Sequence, residues 1–176
     1  MTNGQLGGVK MNDFNTDLEY SLLGNDDQAI NSFYFDNFRF LENIDTVTDL
    51  ELQKEGIDKI LTFKGGKQIF IDEKKRRKNY GDILLEEYSN YEKKVAGWLS
   101  HKKKTDYISY IIYDDKIVYL LPFLLLQNAW INNYNEWSVK YQRKFAKNPT
   151  YTTSNLAIPK QVLFEAIRNE MDIELI

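Results

Sequence analysis

Residues 57–74 constrain the fold of this chain more than any other segment. They contain two apolar runs, IDKILTF and QIFIDEK, which are separated by KGGK. Runs rich in β-branched and aromatic residues with glycines between them predict two strands of an antiparallel hairpin. Because side chains alternate along a strand, Asp72 and Lys74 share one face and Ile71 points to the other. The hairpin therefore places an acid and a lysine side by side.

The glycine turn decides whether a second acid joins this pair. Asp58 lies at the start of the first strand, in GIDKIL. A two-residue glycine loop would set Asp58 opposite Glu73, on the wrong face for Asp72. We therefore predict a three-residue loop, or a bulge, that sets Asp58 opposite Lys74. The same register sets Ile60 opposite Asp72.

Two carboxylates and one ammonium at one spot suit phosphodiester hydrolysis. The carboxylates hold a divalent ion, which polarises the phosphate and lowers the pKa of a bound water. The lysine positions the attacking water or stabilises the charge that develops on the phosphorane. The chain has no cysteine and a single histidine, so a metal must be held by oxygen. Oxygen ligation favours Mg²⁺, Mn²⁺ or Ca²⁺.

An acid-x-lysine triplet is not specific by itself. The pattern recurs at Glu73/Lys75, Glu92/Lys94 and Asp114/Lys116. The ordinary interpretation of each is a solvated strand face. The Asp72/Lys74 pair differs because it lies inside an apolar strand and has a second acid on the partner strand, which favours a functional site.

The rest of the chain predicts an α/β fold with a central mixed β-sheet flanked by helices. The further predicted elements are a helix from Asn25, a strand at DILLEEYS, a hairpin at DYISYIIY and KIVYLLPF, a helix through LLLQNAWINNYNEWSVKYQRKFAK to Asn148, and a last helix over 160–169. The stretch DTVTDLEL fits either a short strand or a turn into helix, and 151–154 fits a loop. Residues 1–13 have the composition of a flexible lead, and 14–176 are expected to form a single domain.

The sequence predicts no membrane partner. Its longest apolar run, residues 120–126, contains Pro122 and is far shorter than the roughly 20 residues that cross a bilayer. The first residues are polar and glycine-rich, unlike a secretory signal. We therefore expect a cytoplasmic protein.

Several of these segments together resemble a known family. The stretches QKEGID, IDEK, GDILLEEYSN, GW, DYISY and IVYLLPF are similar to phage- and restriction-associated proteins of the PD-(D/E)XK superfamily, over most of residues 49–130 and more weakly at YTTSNLAIP. The resemblance implies a restriction-endonuclease-like core. It also implies that Asp58 is the first metal-binding aspartate, Asp72 the acid of the (D/E)-x-K element and Lys74 its lysine.

The resemblance extends to less defined positions. It implies Glu86 as a further metal ligand and Gln53 as a supporting residue. Glu73, next to Asp72, is a further candidate for a supporting role. The chain departs from the family where Ile57 precedes Asp58, since proline is common there. The usual acid of the first helix could be any of four residues: Asp26, Asp27, Asp49 or Glu51.

Basic residues beside the pair offer a grip for a phosphate backbone. The net charge of −3 does not favour binding to DNA, so the attraction to DNA must come from local basic patches. The run that follows Lys74 is Lys75, Arg76, Arg77 and Lys78. Its alternative interpretation is a solvated turn that blunts a strand edge. Two further runs could extend a nucleic-acid track: Lys102–Lys104, and Arg143 with Lys144 and Lys147. The spacing of Trp98, Trp130 and Trp137 favours core packing over base stacking.

The sequence therefore predicts a Mg²⁺- or Mn²⁺-dependent deoxyribonuclease with DNA as its partner, encoded by a bacterium or phage. A homodimer is implied by the resemblance. One alternative is a non-catalytic DNA-binding or interaction subunit of a phage or restriction system on the same fold. Another is an interaction module with a carboxylate-bound structural metal, which would melt in a metal-dependent way without cutting DNA.

Overall fold

The computed structural model describes residues 25–171, and the predicted lead over 1–13 lies outside this range. Within it the chain forms a mixed α/β fold. The helices are α1 (Asn25–Asn37), α2 (Leu50–Lys54), α3 (Phe123–Lys140) and α4 (Lys160–Asn169), with a 3₁₀ turn at Trp98–Ser100. The strands are β1 (Leu41–Thr46), β2 (Lys59–Phe63), β3 (Gln68–Arg76), β4 (Asp82–Asn90), β5 (Val95–Ala96), β6 (Tyr107–Ile112), β7 (Ile117–Pro122), β8 (Arg143–Lys147) and β9 (Thr152–Pro159). No helix in this range combines the length and the apolarity that a membrane span needs.

The predicted hairpin is formed by β2 and β3. Its loop has three residues, because the N–H of Phe63 donates to the carbonyl of Lys67 at 2.8 Å. The three-residue loop is confirmed, but the predicted register is wrong. The loop closes one position earlier in the chain, so Ile60 lies opposite Phe70. Continuing this register brings Asp58 alongside Asp72 rather than Lys74. The shift is an even number of residues, so both acids stay on one face.

The hairpin lies in a five-stranded mixed sheet with the order β1-β2-β3-β6-β7. Its strands β3 and β6 are parallel, and its other pairs are antiparallel. A parallel pair needs a crossover connection, usually a helix. Here the crossover contains β4, β5 and the 3₁₀ turn instead. Helix α1 covers one face of this sheet, where Ile30 and Tyr34 pack against Leu61, Ile71 and Ile111.

A second, antiparallel sheet has the order β5-β4-β9-β8. Its inner face and the first sheet share a core with α3 and α4, in which Ile83, Leu85, Leu156, Trp130 and Trp137 are buried. A mixed sheet flanked by helices is thus confirmed, while the strands divide between two sheets. This division leaves β4 facing the second half of β3, where Lys74 and Glu86 line a common cavity.

Two predicted elements are wrong. The helix expected to continue to Asn148 ends at Lys140, and residues 143–147 form β8. The stretch 151–154, expected to be a loop, belongs largely to β9. Strands β8 and β9 pair with each other over five positions, so each depends on a partner that local periodicity does not reveal. The predicted first and last helices, both hairpins and the strand at DILLEEYS are confirmed. The helical alternative for DTVTDLEL is realised in α2.

Candidate active site

The structure brings Asp58, Asp72 and Lys74 together on one face of the hairpin. Asp58 immediately precedes β2, and its N–H donates to the carbonyl of Ile71 at 2.8 Å. Its carboxylate turns onto β3, where Oδ2 accepts a hydrogen bond from the N–H of Glu73 at 2.8 Å. The ammonium of Lys74 forms an ion pair with Oδ1 of Asp72. Two carboxylates and one ammonium therefore meet where β2 begins beside the middle of β3.

Asp72 is the most buried member of this group, with 3% of its surface exposed. Burial raises the pKa of Asp72 to about 6; Lys74 acts in the opposite direction, and the neighbouring Asp58 carboxylate raises the pKa again. A carboxylate that is buried beside a like charge is poorly compensated. The site therefore holds more negative charge than Lys74 neutralises.

Gly56 forms the wall beside Asp72. Its φ of +80° is in the left-handed region, and a Cβ there would lie 3.1 Å from Cδ of Lys103 and 3.4 Å from Oδ2 of Asp72. Lys103 crosses this position and donates from Nζ to the carbonyl of Lys54 at 2.6 Å. Glycine thus lets the end of α2 approach the Asp72 carboxylate closely.

Glu86 reaches the same region from β4. Its Oε1 accepts a hydrogen bond from the N–H of Trp98 at 3.3 Å. Burial raises the pKa of Glu86, although this hydrogen bond and the charges of Lys74 and Lys103 act in the opposite direction. A cavity of about 290 Å³ lies between β3 and β4, and Lys74, Glu86 and Trp98 are among the residues that line it.

The carboxylates fit a hard divalent cation. The described residues contain no group of three or more histidine, aspartate or glutamate side chains that could hold a metal. Mg²⁺, however, is usually bound by one or two carboxylates while water and substrate phosphate complete its coordination. Asp58 and Asp72 supply two such oxygen ligands, and the uncompensated charge at Asp72 is what a cation would neutralise. Glu86 as a further ligand stays a prediction.

The predicted supporting residue Glu73 faces the other side of the sheet. Its carboxylate accepts a hydrogen bond from the hydroxyl of Tyr34 at 3.1 Å and lies 3.4 Å from Nζ of Lys75. Burial raises the pKa of Tyr34, and the charge of Glu73 raises it further. Glu73 therefore interacts with α1 and with Lys75, across the sheet from Asp72.

The basic run after Lys74 does not form one surface. Arg76 points to the cavity side, where it forms an ion pair with Asp82 and lies 4.7 Å from the ring centroid of Tyr80. Arg77 lies 3.9 Å from Asp114, and Lys78 is exposed. Alternation along β3 places Lys75 and Arg76 on opposite faces, and DNA binding by individual residues of the run stays a prediction.

The other predicted positions near α2 have local contacts. Gln53 donates from Nε2 to the carbonyl of Val47 at 2.8 Å. Asp49 caps α2 by accepting from the N–H of Glu51 at 2.8 Å, and Glu51 pairs with Lys54 at 2.7 Å. Both candidates for the acid of the first helix in this region are thus engaged around α2. The side chains of Asp26 and Asp27 lie outside the described part of the chain.

In the two further basic runs, some side chains contact other groups of the protein. In the first, Lys103 binds the end of α2, and Lys104 lies 3.4 Å from Glu55. In the second, Arg143 binds Glu87 through two hydrogen bonds of 2.8 Å. Lys144, the neighbour of Arg143 on β8, is exposed.

Sequence reasoning missed Glu87 and Asn155. Glu87 is buried and also accepts from Tyr134 at 2.7 Å and from Ser154 at 3.0 Å. Asn155 lines the cavity and lies opposite Glu86. The alternation in DILLEEYS separates Glu86 from Glu87, but their partners come from β8, β9 and α3. Those pairings leave no local pattern in the sequence.

Comparison with protein-family models, with curated proteins and with solved structures finds no match to this chain. The PD-(D/E)XK resemblance therefore stays a prediction from the residues that carry it. Because fold does not fix function, the side chains at the site must supply the functional inference.

Proposed function

We propose that this protein is a divalent-metal-dependent nuclease that hydrolyses phosphodiester bonds in DNA, built on a restriction-endonuclease-like core. One observation supports this most strongly. Asp58 and Asp72 converge on one face of the hairpin, and Lys74 pairs with Asp72 at the rim of a cavity. Two oxygen ligands and an adjacent ammonium are the set that metal-assisted phosphate hydrolysis needs.

Asp58 and Asp72 would hold the cation, and the family resemblance adds Glu86. A bound divalent cation would polarise the scissile phosphate and lower the pKa of a nearby water. The hydrogen bond from Glu73 N–H fixes the Asp58 carboxylate before any ligand arrives. Such preorganisation limits the cost of assembling the site during the reaction.

Lys74 acts on the substrate. An ammonium has three donors, and the bond to Asp72 uses one of them. The remaining donors can hold the attacking water or a phosphate oxygen, and the positive charge stabilises the negative charge that grows in the transition state. The ion pair with Asp72 holds the ammonium beside the carboxylates that would bind the cation.

Cleavage of linear, supercoiled and single-stranded DNA with Mg²⁺, Mn²⁺ or EDTA tests this function. We expect metal-dependent cutting that falls by at least about a hundredfold in Lys74→Ala. Lys116→Asn is the matched control, because it removes the lysine of another acid-x-lysine triplet at a turn whose φ of 53° asparagine tolerates. Absence of cutting with every metal, with DNA still bound, would instead support a DNA-binding subunit.

A further inference from the structure

The cavity beside Lys74 has the size and the lining of a site for one nucleotide. Its volume of about 290 Å³ is close to the roughly 300 Å³ of the smallest small-molecule sites. Leu84 and Trp98 give it apolar surface, and Lys74, Arg76, Glu86 and Asn155 give it polar groups. An apolar wall with a few convergent polar groups is the usual form of a ligand pocket.

Asn155 is the group in this lining that most suggests a ligand. Its neighbours Ser154 and Leu156 point into the core, so the Asn155 side chain points the other way, into the cavity. The side-chain amide makes no hydrogen bond to any residue within 25–171. An amide offers both donors and acceptors, so Asn155 can bond to the edge of a nucleobase.

A row of side chains leads from the site across the second sheet. Asn155 on β9 lies directly opposite Glu86 on β4 and opposite Lys144 on β8. Directly opposite residues project from the same face with Cβ atoms roughly 4.5–5.5 Å apart. Lys144 is exposed and therefore presents a positive charge two strands away from Glu86, on the same face.

Trp98 is held at the cavity by its local backbone. A Cβ at Gly97 would lie 2.0 Å from the carbonyl oxygen of Glu86, so only glycine permits the turn to approach β4 this closely. The Trp98 ring centroid lies 5.5 Å from Nζ of Lys74. Trp130 and Trp137, by contrast, are buried in the core. The expectation of core packing thus holds for these two, whereas Trp98 also presents surface to the cavity.

We propose that this cavity receives the base of an unpaired nucleotide, with Trp98 and Leu84 against the base, Asn155 at its edge and Lys144 on a phosphate of the same strand. This inference rests on the proposed nuclease function, because it names the substrate class of that site. A base inside a duplex cannot enter a cavity between two sheets without leaving its stack and its pair. The preferred substrate is therefore single-stranded DNA, or DNA with an unpaired position.

Fluorescence anisotropy in EDTA tests this without any cutting. The probes are a fluorescein-labelled single-stranded oligodeoxynucleotide of mixed sequence and the blunt duplex of the same sequence. We expect the wild type to bind the single strand at least about fivefold more tightly than the duplex, which is the lower limit for one stacked base. Asn155→Ala should weaken single-strand binding about fivefold and leave duplex binding unchanged. Asn135→Ala, at an exposed position on α3, is the control.

The salt dependence tests the position of Lys144. Lys144→Ala should lower the slope of log affinity against log salt by about 0.7, the value for one phosphate contact with a single strand. Lys64→Ala should not change the slope, since Lys64 is exposed in the loop between β2 and β3 and lies outside the row of Glu86, Asn155 and Lys144.

The two proposals fail in distinguishable ways. Equal binding of both probes, or single-strand binding that Asn155→Ala leaves intact, overturns the nucleotide pocket even if the protein cuts DNA. Single-strand binding that depends on Asn155 supports the pocket even if no metal produces cutting, and in that case the nuclease proposal fails.

Discussion

Asp72 and Glu87 are almost equally buried, at 3% and 4% exposure, yet their surroundings shift the pKa of the two carboxyl groups in opposite directions. Burial raises the pKa of Asp72, and Lys74 offsets it only in part. Burial would also raise the pKa of Glu87, but hydrogen bonds from Arg143, Tyr134 and Ser154 outweigh it, and the pKa is lowered.

Under the proposed function, this difference separates a structural carboxylate, Glu87, from one that would bind a cation, Asp72. Glu87 is fully supplied with donors, and it joins β4 to β8, β9 and α3. Asp72 lies beside another carboxylate and has one cationic partner. Buried charge that the protein leaves poorly compensated costs stability, which supports the proposal that an external cation completes the site at Asp72.

The largest effect should come from breaking the Glu87 cluster. Arg143→Met keeps an apolar stem but leaves the Glu87 carboxylate buried without its bidentate partner. We expect a loss of about 2–4 kcal/mol in the free energy of unfolding, measured by denaturant titration. The neighbouring Lys144→Met, at an exposed position, should change it by less than about 0.5 kcal/mol. Similar values for both variants would show that the cluster is not a stabilising unit.

The opposite sign is expected at Asp72. Asp72→Asn removes a charge that burial disfavours, so the metal-free protein should gain roughly 1–3 kcal/mol at neutral pH. The melting temperature in EDTA should rise by about 2–4 °C for each kcal/mol. Asp36→Asn, at an exposed position on α1, should leave it unchanged. A lower melting temperature for Asp72→Asn would mean that Lys74 already compensates this carboxylate.

Substitutions at two glycines distinguish the effect of backbone strain from the effect of steric crowding at the site. Gly56 and Gly81 have φ values of +80° and +79°, but a Cβ meets Asp72 and Lys103 at the first and nothing within 4 Å at the second. Replacing either glycine with alanine should lower the free energy of unfolding by about 1 kcal/mol. DNA cleavage should fall further, by roughly tenfold or more, only in Gly56→Ala, because small displacements of reacting groups are costly. Equal activity of the two variants would show that Gly56 does not position Asp72.

The smallest effect is a pH dependence of the Glu87 contribution. Its folded pKa is lowered, so this contribution is present above the unfolded pKa of about 4.3 and is lost as the pH falls through the folded value. The difference in melting temperature between wild type and Glu87→Gln should therefore be full at neutral pH and shrink in acid. A difference that stays constant between neutral pH and pH of about 3 would contradict the lowered pKa.

Local sequence patterns are sufficient to predict those elements whose residues alone show a strand, helix or turn pattern. The alternation in QIFIDEK fixes Asp72 and Lys74 on one face, and the glycines fix a turn, so the central pair of the site is readable from the sequence. The register of the hairpin cannot be predicted from the sequence, because a three-residue loop can close between Phe63 and Lys67 or one position later. Both choices leave Asp58 on the correct face, and only tertiary contacts select one of them.

The second sheet could not be predicted because its strands depend on distant partners. In RKFAK the hydrophobic pattern fits a continued helix as well as a strand. Its strand form follows from pairing with β9 and from the contact of Arg143 with Glu87, 56 residues away in the chain. The position of Asn155 in the cavity depends on the same pairing. Residues whose positions depend on the second sheet therefore cannot be identified from local sequence patterns.

The central claim is that Asp72 and Lys74 form a site completed by a divalent cation, and a single Mg²⁺ titration tests it most directly. Melting temperature and cleavage of single-stranded DNA would be followed together in wild type and Asp72→Asn. In the wild type we predict that both rise with Mg²⁺, with about 2.7 kcal/mol of stabilisation at a hundredfold excess over the dissociation constant. Neither should respond in Asp72→Asn. Cleavage by the wild type in EDTA, or equal responses of the two proteins to Mg²⁺, would contradict the account.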